Sequence, residues 1–289
     1  MRIVQFSDVH IREDFSWREA PKFGWRRTVA LGELKFGGRA RDFGDAGGTL
    51  ANLAEAIERE APGLILFSGD FTALSTHREF ADARALLKNL LREPRRFCAV
   101  PGNHDRYTPA SVNERRFEQY FGDCQTSDLP EFALSTGYPF VRLFGDTLAV
   151  IGLDTSLLAP FPGISFGRLD FGSLDRLRRI LALDEIQRRR VMVLMHHAPF
   201  GPKGRPDTPT HGLQRSRPLM EVLMRHPRLT IHCGHIHRRY QLPAAASHPP
   251  IFNPGSGTLH GSPGFFAFEL SDTSGEIESV REVRIEAAG

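Results

Sequence analysis

Five short apolar runs in this chain end in residues able to bind a metal or move a proton. The runs cover residues 2–6, 64–67, 97–101, 191–195 and 229–233. The blocks that follow them are Asp8-Val9-His10, Gly69-Asp70, Gly102-Asn103-His104-Asp105, His196-His197 and Gly234-His235-Ile236-His237. Asn offers a neutral oxygen, His a ring nitrogen or a proton, and Asp a carboxylate. Side chains two apart in an extended chain point the same way. Asp8 with His10, and His235 with His237, can therefore each present two groups to one place. Each block alone reads as a polar turn or a helix cap; five of them, each at a strand end, point to one rim.

Asp8, His10, Asp70, Asn103, one of His196 and His197, His235 and His237 are too many ligands for one transition ion. They suit two ions about 3.5–4 Å apart that share a carboxylate and a hydroxide, and His104 is left over. Imidazole and carboxylate without thiolate favours Mn, Fe, Co, Ni or Zn over Ca or Mg. Two carboxylates and a shared hydroxide leave two divalent ions a net positive charge, which an all-carboxylate cage would cancel. Such a site attracts phosphate, can aim an ionised water at phosphorus and can neutralise the non-bridging oxygens. A protonated His104 would stabilise developing charge or protonate the leaving oxygen.

Elements must carry these groups. The first strand is followed by a helix near residues 50–60, the strand 64–67, a helix over about 79–91 and the strand 97–101. That alternation is the sign of a parallel sheet with helical crossovers. Gly145-Asp146 then joins 140–144 and 147–153 as a hairpin. A basic helix near 173–183, a strand at 191–195, a helix over 216–224, a strand at 229–233 and short strands at 251–252, 264–270 and 278–285 complete the pattern. No repeat or linker divides the 289 residues, so one α/β domain of two helix-covered sheets is expected.

The ordered blocks, from Asp8 to His237, resemble the calcineurin-like metallophosphoesterase superfamily, whose signature is D-x-H, G-D, G-N-H-D, H and G-H-x-H. His196-His197-Ala198-Pro199 and Gly234-His235-Ile236-His237 look most like its bacterial class III cyclic-nucleotide phosphodiesterase branch. The resemblance implies a four-layer αββα sandwich of two mixed sheets flanked by helices. It implies one metal on Asp8, His10 and His237, another on Asn103, His196 and His235, and Asp70 between them. His104 is then the catalytic residue beside the phosphate, Asp105 its partner, and His197 packs nearby. Many relatives carry a second acid shortly after Gly-Asp, where this chain has Phe71-Thr72.

The expected function is hydrolysis of a phosphodiester or related phosphate ester by attack of metal-bound hydroxide, on a cyclic nucleotide or small diester. The alternative is a UDP-2,3-diacylglucosamine-type lipid nucleotide pyrophosphate hydrolase. A nuclease or a binding scaffold that has lost its chemistry ranks below both. A net charge of +3 provides no global field for nucleic acid. The positive charge is local: residues 17–41 hold seven basic and two acidic residues, leaving 30 against 32 elsewhere. Trp17, Phe23, Trp25 and Phe36 lie among those bases. The insertion at about 11–48 is expected to act either as a lid or membrane contact, or as a flap packed on the sheet rim. No basic-then-apolar leader precedes the first strand, and three scattered cysteines form no zinc-like spacing. A cytoplasmic enzyme is expected, peripheral to the membrane if the lid contacts lipid, with the 140–153 hairpin or the tail available for a homodimer.

Overall fold

The computed structural model describes residues 1–13, 45–161, 163–259 and 262–288. The strands β1 (Arg2–Phe6), β2 (Leu64–Phe67) and β3 (Phe97–Ala99) pair in parallel, and α1 (Ala46–Arg59) and α2 (His77–Leu86) supply the crossovers. β12 (Gly264–Leu270) and β13 (Ile277–Arg284) join antiparallel to give the order β13-β12-β1-β2-β3. A second, six-stranded sheet has β4 (Phe140–Phe144), β5 (Leu148–Gly152), β7 (Arg190–Leu194), β9 (Leu229–His232), β10 (Arg239–Leu242) and β11 (Ile251–Pro254), in the order β10-β11-β9-β7-β5-β4. Its inner strands β5, β7, β9 and β11 are parallel, and both edges are antiparallel. β6 (Gly167–Arg168) and β8 (Leu213–Gln214) form a separate short pair.

Two short helices follow β3, α3 (Pro109–Asn113) and α4 (Arg116–Phe121), divided by Arg115 in a left-handed conformation at φ 52°. The segment at 79–91 is shorter than expected: α2 stops at Leu86, and a turn carries Leu87 to Leu91 into the core.

The layers follow from period-2 alternation along strands that are apolar on both faces. Ile3, Leu64 and Leu66 point into the core shared with Met192, Leu194 and Val150 of the other sheet. Val4, Phe6, Ile65 and Phe67 point the opposite way, onto Leu50, Leu53 and Ile57 of α1 and Phe80 of α2. Val191 and Val193 share a core with Leu177 and Ile180 of α5 (Phe171–Leu181), Ile186 of α6 (Asp184–Gln187), and Leu219 and Leu223 of α7 (Ser216–Leu223). Three apolar interfaces separate four layers, so the fold is an αββα sandwich of two mixed sheets. Among the described residues, no helix is long and apolar enough to cross a membrane.

Most of the basic aromatic insertion, residues 14–44, lies outside the described residues. Both tryptophans, and the lid or membrane contact expected for 17–41, fall within that segment.

Candidate metal centre

All five blocks meet at one place, where the carboxyl ends of β1, β2, β3, β7 and β9 run out. The first two turns are zipped together: Asp8 N donates to Gly69 O at 2.9 Å, and Val9 N and His10 N donate to Asp70 O at 2.9 and 3.1 Å. Ser256 Oγ and Thr258 Oγ1 clamp the same turn by donating to the carbonyls of Asp8 (2.6 Å) and Val9 (2.8 Å). Asp8, His10, Asp70, His235 and His237 all have positive φ, between 45° and 72°. Left-handed backbone at a non-glycine residue costs about 1–2 kcal/mol. Five such residues at one rim store strain where side chains must converge.

The glycines of the motifs leave room for those side chains. A Cβ on Gly102 would lie 2.0 Å from Asp70 Oδ1, and one on Gly234 would lie 2.6 Å from Asp8 Oδ2. On Gly69 it would meet His196 Nδ1 at 2.6 Å, at a φ of +102° that favours glycine anyway.

Two adjacent clusters result. In one, His10 Nε2 and His237 Nε2 are 2.9 Å apart, and Asp8 Oδ1 lies 3.2 Å from His237 Nε2 and 3.8 Å from His10 Nε2. In the other, Asn103 Oδ1 lies 3.0 Å from both His196 Nε2 and His235 Nδ1, which are 3.3 Å from each other. Asp70 Oδ2 faces both, at 3.3 Å from His196 Nε2 and 3.8 Å from His10 Nε2. Its Oδ1 turns away to accept from His104 N at 2.8 Å.

Most of these spacings, from 3.0 to 3.3 Å, lie within the donor-to-donor edges of about 3.0–3.6 Å around an ion with bonds of about 2.0–2.2 Å. Each imidazole of the second cluster is also fixed in the ligating tautomer. His196 Nδ1 donates to Ser68 O at 2.7 Å, and His235 Nε2 donates to His211 O at 2.8 Å. The opposite nitrogens therefore face Asn103 Oδ1, a meeting that a metal ion, or in its absence a proton on His196, would hold together. Burial opposes a proton on His196, but Asp70 and Asp8 outweigh it and push the ring up to about 9. Asp70 is held below the usual carboxylate range because the surrounding histidines outweigh its burial. The residues present fit two transition ions.

His197 does not share in this. It lies close to His196 and His235, yet its Nδ1 contacts Thr155 Oγ1 and its Nε2 contacts Ser165 O, both at 3.0 Å. Both ring nitrogens are taken, as expected for a packing residue.

His104 stands at the open side of the first cluster, edge-on to His10 with ring centroids 4.8 Å apart and stacked on Tyr107 at 5.7 Å. Its Nδ1 donates to Ala73 O at 2.7 Å, leaving Nε2 toward the site. Burial lowers the ring to about 4, with Asp70 opposing. Burial thus favours the neutral imidazole, whereas the acid role expected from the sequence calls for a protonated ring.

Asp105 corrects the sequence reading. It does not touch the His104 ring, whose orientation comes from Ala73 and Tyr107. Its Oδ2 accepts from the backbone N–H groups of Asp70 (3.0 Å), Phe71 (3.3 Å) and Gly102 (3.0 Å). Its Oδ1 accepts from Thr72 N (3.1 Å) and Thr72 Oγ1 (3.0 Å). The turn at Gly102 points this carboxylate back under the Gly69-Asp70 loop, so it positions Asp70 and not His104. Burial and the nearby Asp70 carboxylate push Asp105 up to about 7, against five donors that favour its anion.

Sequence reasoning also missed Asn253, Ser256 and Thr258. Asn253 Nδ2 donates to Gly234 O at 2.6 Å and so braces the Gly-His-Ile-His turn. A signal was available, because Asn253-Pro254-Gly255-Ser256-Gly257 is one more polar, turn-forming end to an apolar strand.

The calcineurin-like phosphoesterase family matches residues 1–239. The chain belongs to that family. No curated protein sequence matches it. Among solved structures this calcineurin-like phosphoesterase is similar to a dimetal phosphatase from Danio rerio, at 13% identity and a TM-score of 0.61, over 94% of this chain and 93% of that one. It is also similar to the protein TT1561 of Thermus thermophilus, at 12% identity and a TM-score of 0.52, over 98% and 99% of the two chains. The purple acid phosphatase PPD1 of yellow lupin, Lupinus luteus, shares the fold at 10% identity and a TM-score of 0.54, over 99% of this chain and 54% of that one. At these identities the likeness is one of fold.

Proposed function

We propose that this calcineurin-like phosphoesterase hydrolyses a phosphodiester or a closely related phosphate ester at a two-metal site. Asp8, His10 and His237 would hold one ion, Asn103, His196 and His235 the other, and Asp70 would join them. The observation that carries this reading is the orientation of Asp70. One oxygen is tied to His104 N at 2.8 Å, and the other faces the imidazole nitrogens of both clusters at 3.3 and 3.8 Å. Two ions held there would act as Lewis acids and lower the pKa of a shared water.

The chain's own residues do the rest. Neutral Asn103 and four histidines keep the site positive, which draws a phosphate anion in and orients it. That anion raises the proton affinity of His104 above its low resting value, and Nε2 takes up a proton while Nδ1 stays fixed on Ala73 O. His104 then holds a proton within reach of the leaving oxygen. Asp105 and Thr72 keep the Asp70 loop in place throughout.

A small diester or cyclic nucleotide is the favoured substrate. The lipid nucleotide pyrophosphate alternative and its membrane contact rest on residues 17–41. Anionic-vesicle binding that survives the combined substitution Trp25→Ala/Arg26→Ala/Arg27→Ala would remove that contact. The main test is a turnover screen of Mn- and Zn-loaded protein on bis(4-nitrophenyl) phosphate, 4-nitrophenyl phosphate, cyclic AMP and UDP-diacylglucosamine. Diester turnover is expected; metal-loaded protein inactive on all four would overturn the reading.

A further inference from the structure

A further strand end reaches the metal rim without supplying a candidate ligand. β5 pairs in parallel with β7, Gly152 beside Leu194, so Asp154-Thr155-Ser156 emerges level with His196-His197. Thr155 Oγ1 is engaged by His197, 3.0 Å from its Nδ1. Asp154 and Ser156 instead reach the two ends of the turn that presents Asn103 and His104.

Ser156 Oγ donates to Pro101 O at 2.9 Å, at the entrance to that turn. Arg106, at its exit, donates through Nη2 to Asp154 Oδ2 at 2.9 Å. Asp154 Oδ1 accepts from Ser156 N at 2.8 Å, which closes the circuit. Arg106 is anchored on its other side by Glu118 of α4, whose carboxylate accepts from Nη1 at 3.0 Å and from Nη2 at 2.5 Å. Such a bidentate pair fixes the plane of the guanidinium. Ser156 and Arg106 are both buried, so water competes little for these bonds.

The interior of the turn is held from the first sheet. Asp105 accepts from Gly102 N and Asp70 N, and His104 N donates to Asp70 Oδ1. Asp154 belongs to the second sheet, beside the strand that leads to His196. Asn103 comes from β3 in one sheet, while its neighbours His196 and His235, each 3.0 Å from Asn103 Oδ1, come from β7 and β9 in the other. The other cluster has its own tie between the sheets, His235 N donating to the Asp8 carboxylate.

We infer that Asp154 is a positioning residue for the ion assigned to Asn103, His196 and His235. Through Arg106 and Ser156 it fixes both ends of the Asn103 turn against the second sheet and so sets the spacing of that ligand trio. The inference rests on the two-metal reading and adds a residue to it that touches no candidate ligand.

The test compares wild type with Asp154→Asn, which keeps the shape and removes the charge facing Arg106. Ser156→Ala, which cuts only the link to Pro101, carries the test if the charge change unfolds the protein. Circular dichroism and urea unfolding establish which variants fold. In competition with a chromogenic chelator, Asp154→Asn should bind one of two Zn ions about tenfold more weakly and the other as wild type does. Ser156→Ala should loosen the same ion about threefold. Unchanged affinities for both ions, even with a lower urea midpoint, would make the contacts merely structural and overturn the role. Equal loosening of both ions would overturn it too. If wild type holds fewer than two ions, the two-metal reading fails on its own. Hydrogen exchange of the metal-free proteins, read by mass spectrometry, then decides whether Asp154 fixes the turn. Peptides spanning 101–106 should exchange about threefold faster or more in the variants, and those spanning 8–10 should not change. Equal exchange at 101–106 would count against it.

Discussion

Gln5 and His232 meet in the buried space between the two sheets, with Gln5 Oε1 accepting from His232 Nδ1 at 2.9 Å. Gln5 Nε2 donates onward to Cys233 O and Phe252 O, each at 3.2 Å, and His232 Nε2 accepts from Thr230 Oγ1 at 3.0 Å. Both side chains are fully buried. Three residues beyond Gln5 stands Asp8, and three beyond His232 stands His235. There the strands touch again, His235 N donating to the Asp8 carboxylate at 3.1 and 3.2 Å. A polar clamp between the sheets thus fixes the register of the strand ends that carry the candidate ligands. Gln5→Leu leaves a buried imidazole N–H and the Cys233 carbonyl without partners, while Phe252 O keeps Cys233 N at 3.0 Å, and should cost about 1–3 kcal/mol of stability for each group so stranded. Urea unfolding checks this, and a midpoint equal to wild type would refute the clamp.

His232 also predicts acid sensitivity. Burial, aided by Arg190, lowers it to about 3 in the folded protein, whereas the unfolded chain binds the proton near 6.5. Between those values the unfolded state holds more protons, so stability must fall as pH falls. From about pH 6.5 to 5 this one residue should remove about 2 kcal/mol, at about 1.4 kcal/mol per pH unit. His232→Gln should flatten that part of the pH–stability curve measured by urea unfolding. A slope unchanged by the substitution would contradict the assignment.

Asp105 is predicted to act on metal retention. Asp105→Asn turns an amide N–H₂ toward backbone donors and loosens the Asp70 loop. Loss of such a supporting group weakens metal binding by about 10–100-fold, measurable by competition with a chromogenic chelator. Loss of turnover with metal affinity intact would return Asp105 to the role of orienting His104.

His104 should matter in proportion to the leaving group's need for a proton. His104→Asn is expected to lower kcat on an alkyl diester by about 10²–10³-fold, and much less on a 4-nitrophenyl diester, whose leaving group departs as a stable anion. Equal losses on both would place His104 in phosphate binding and not in proton transfer.

Much of the fold and site was legible because the strands are apolar on both faces and stop at polar turns. The strand readings at 64–67 and 264–270 coincide with β2 and β12. The blocks carrying Asp8 through His237 converge because parallel strands deliver their carboxyl ends to one rim. β10 went unread because Arg239-Tyr240-Gln241-Leu242 is an edge strand with little apolar signal. The job of Asp105 was hidden because sequence neighbours look like partners, while the turn at Gly102 sends the two side chains apart. The Gln5–His232 contact joins residues 227 apart, and nothing local announces a bond across two sheets.

Metal stoichiometry tests the two-metal reading most directly. Protein stripped with chelator, reloaded with Mn or Zn, freed of excess ion and analysed by inductively coupled plasma mass spectrometry should hold two ions per chain. Diester turnover should rise with occupancy, and Asp70→Asn should lose both ions' tight binding together because its carboxylate faces both clusters. One ion or none per wild-type chain, or an Asp70→Asn protein that keeps two, would contradict the shared site.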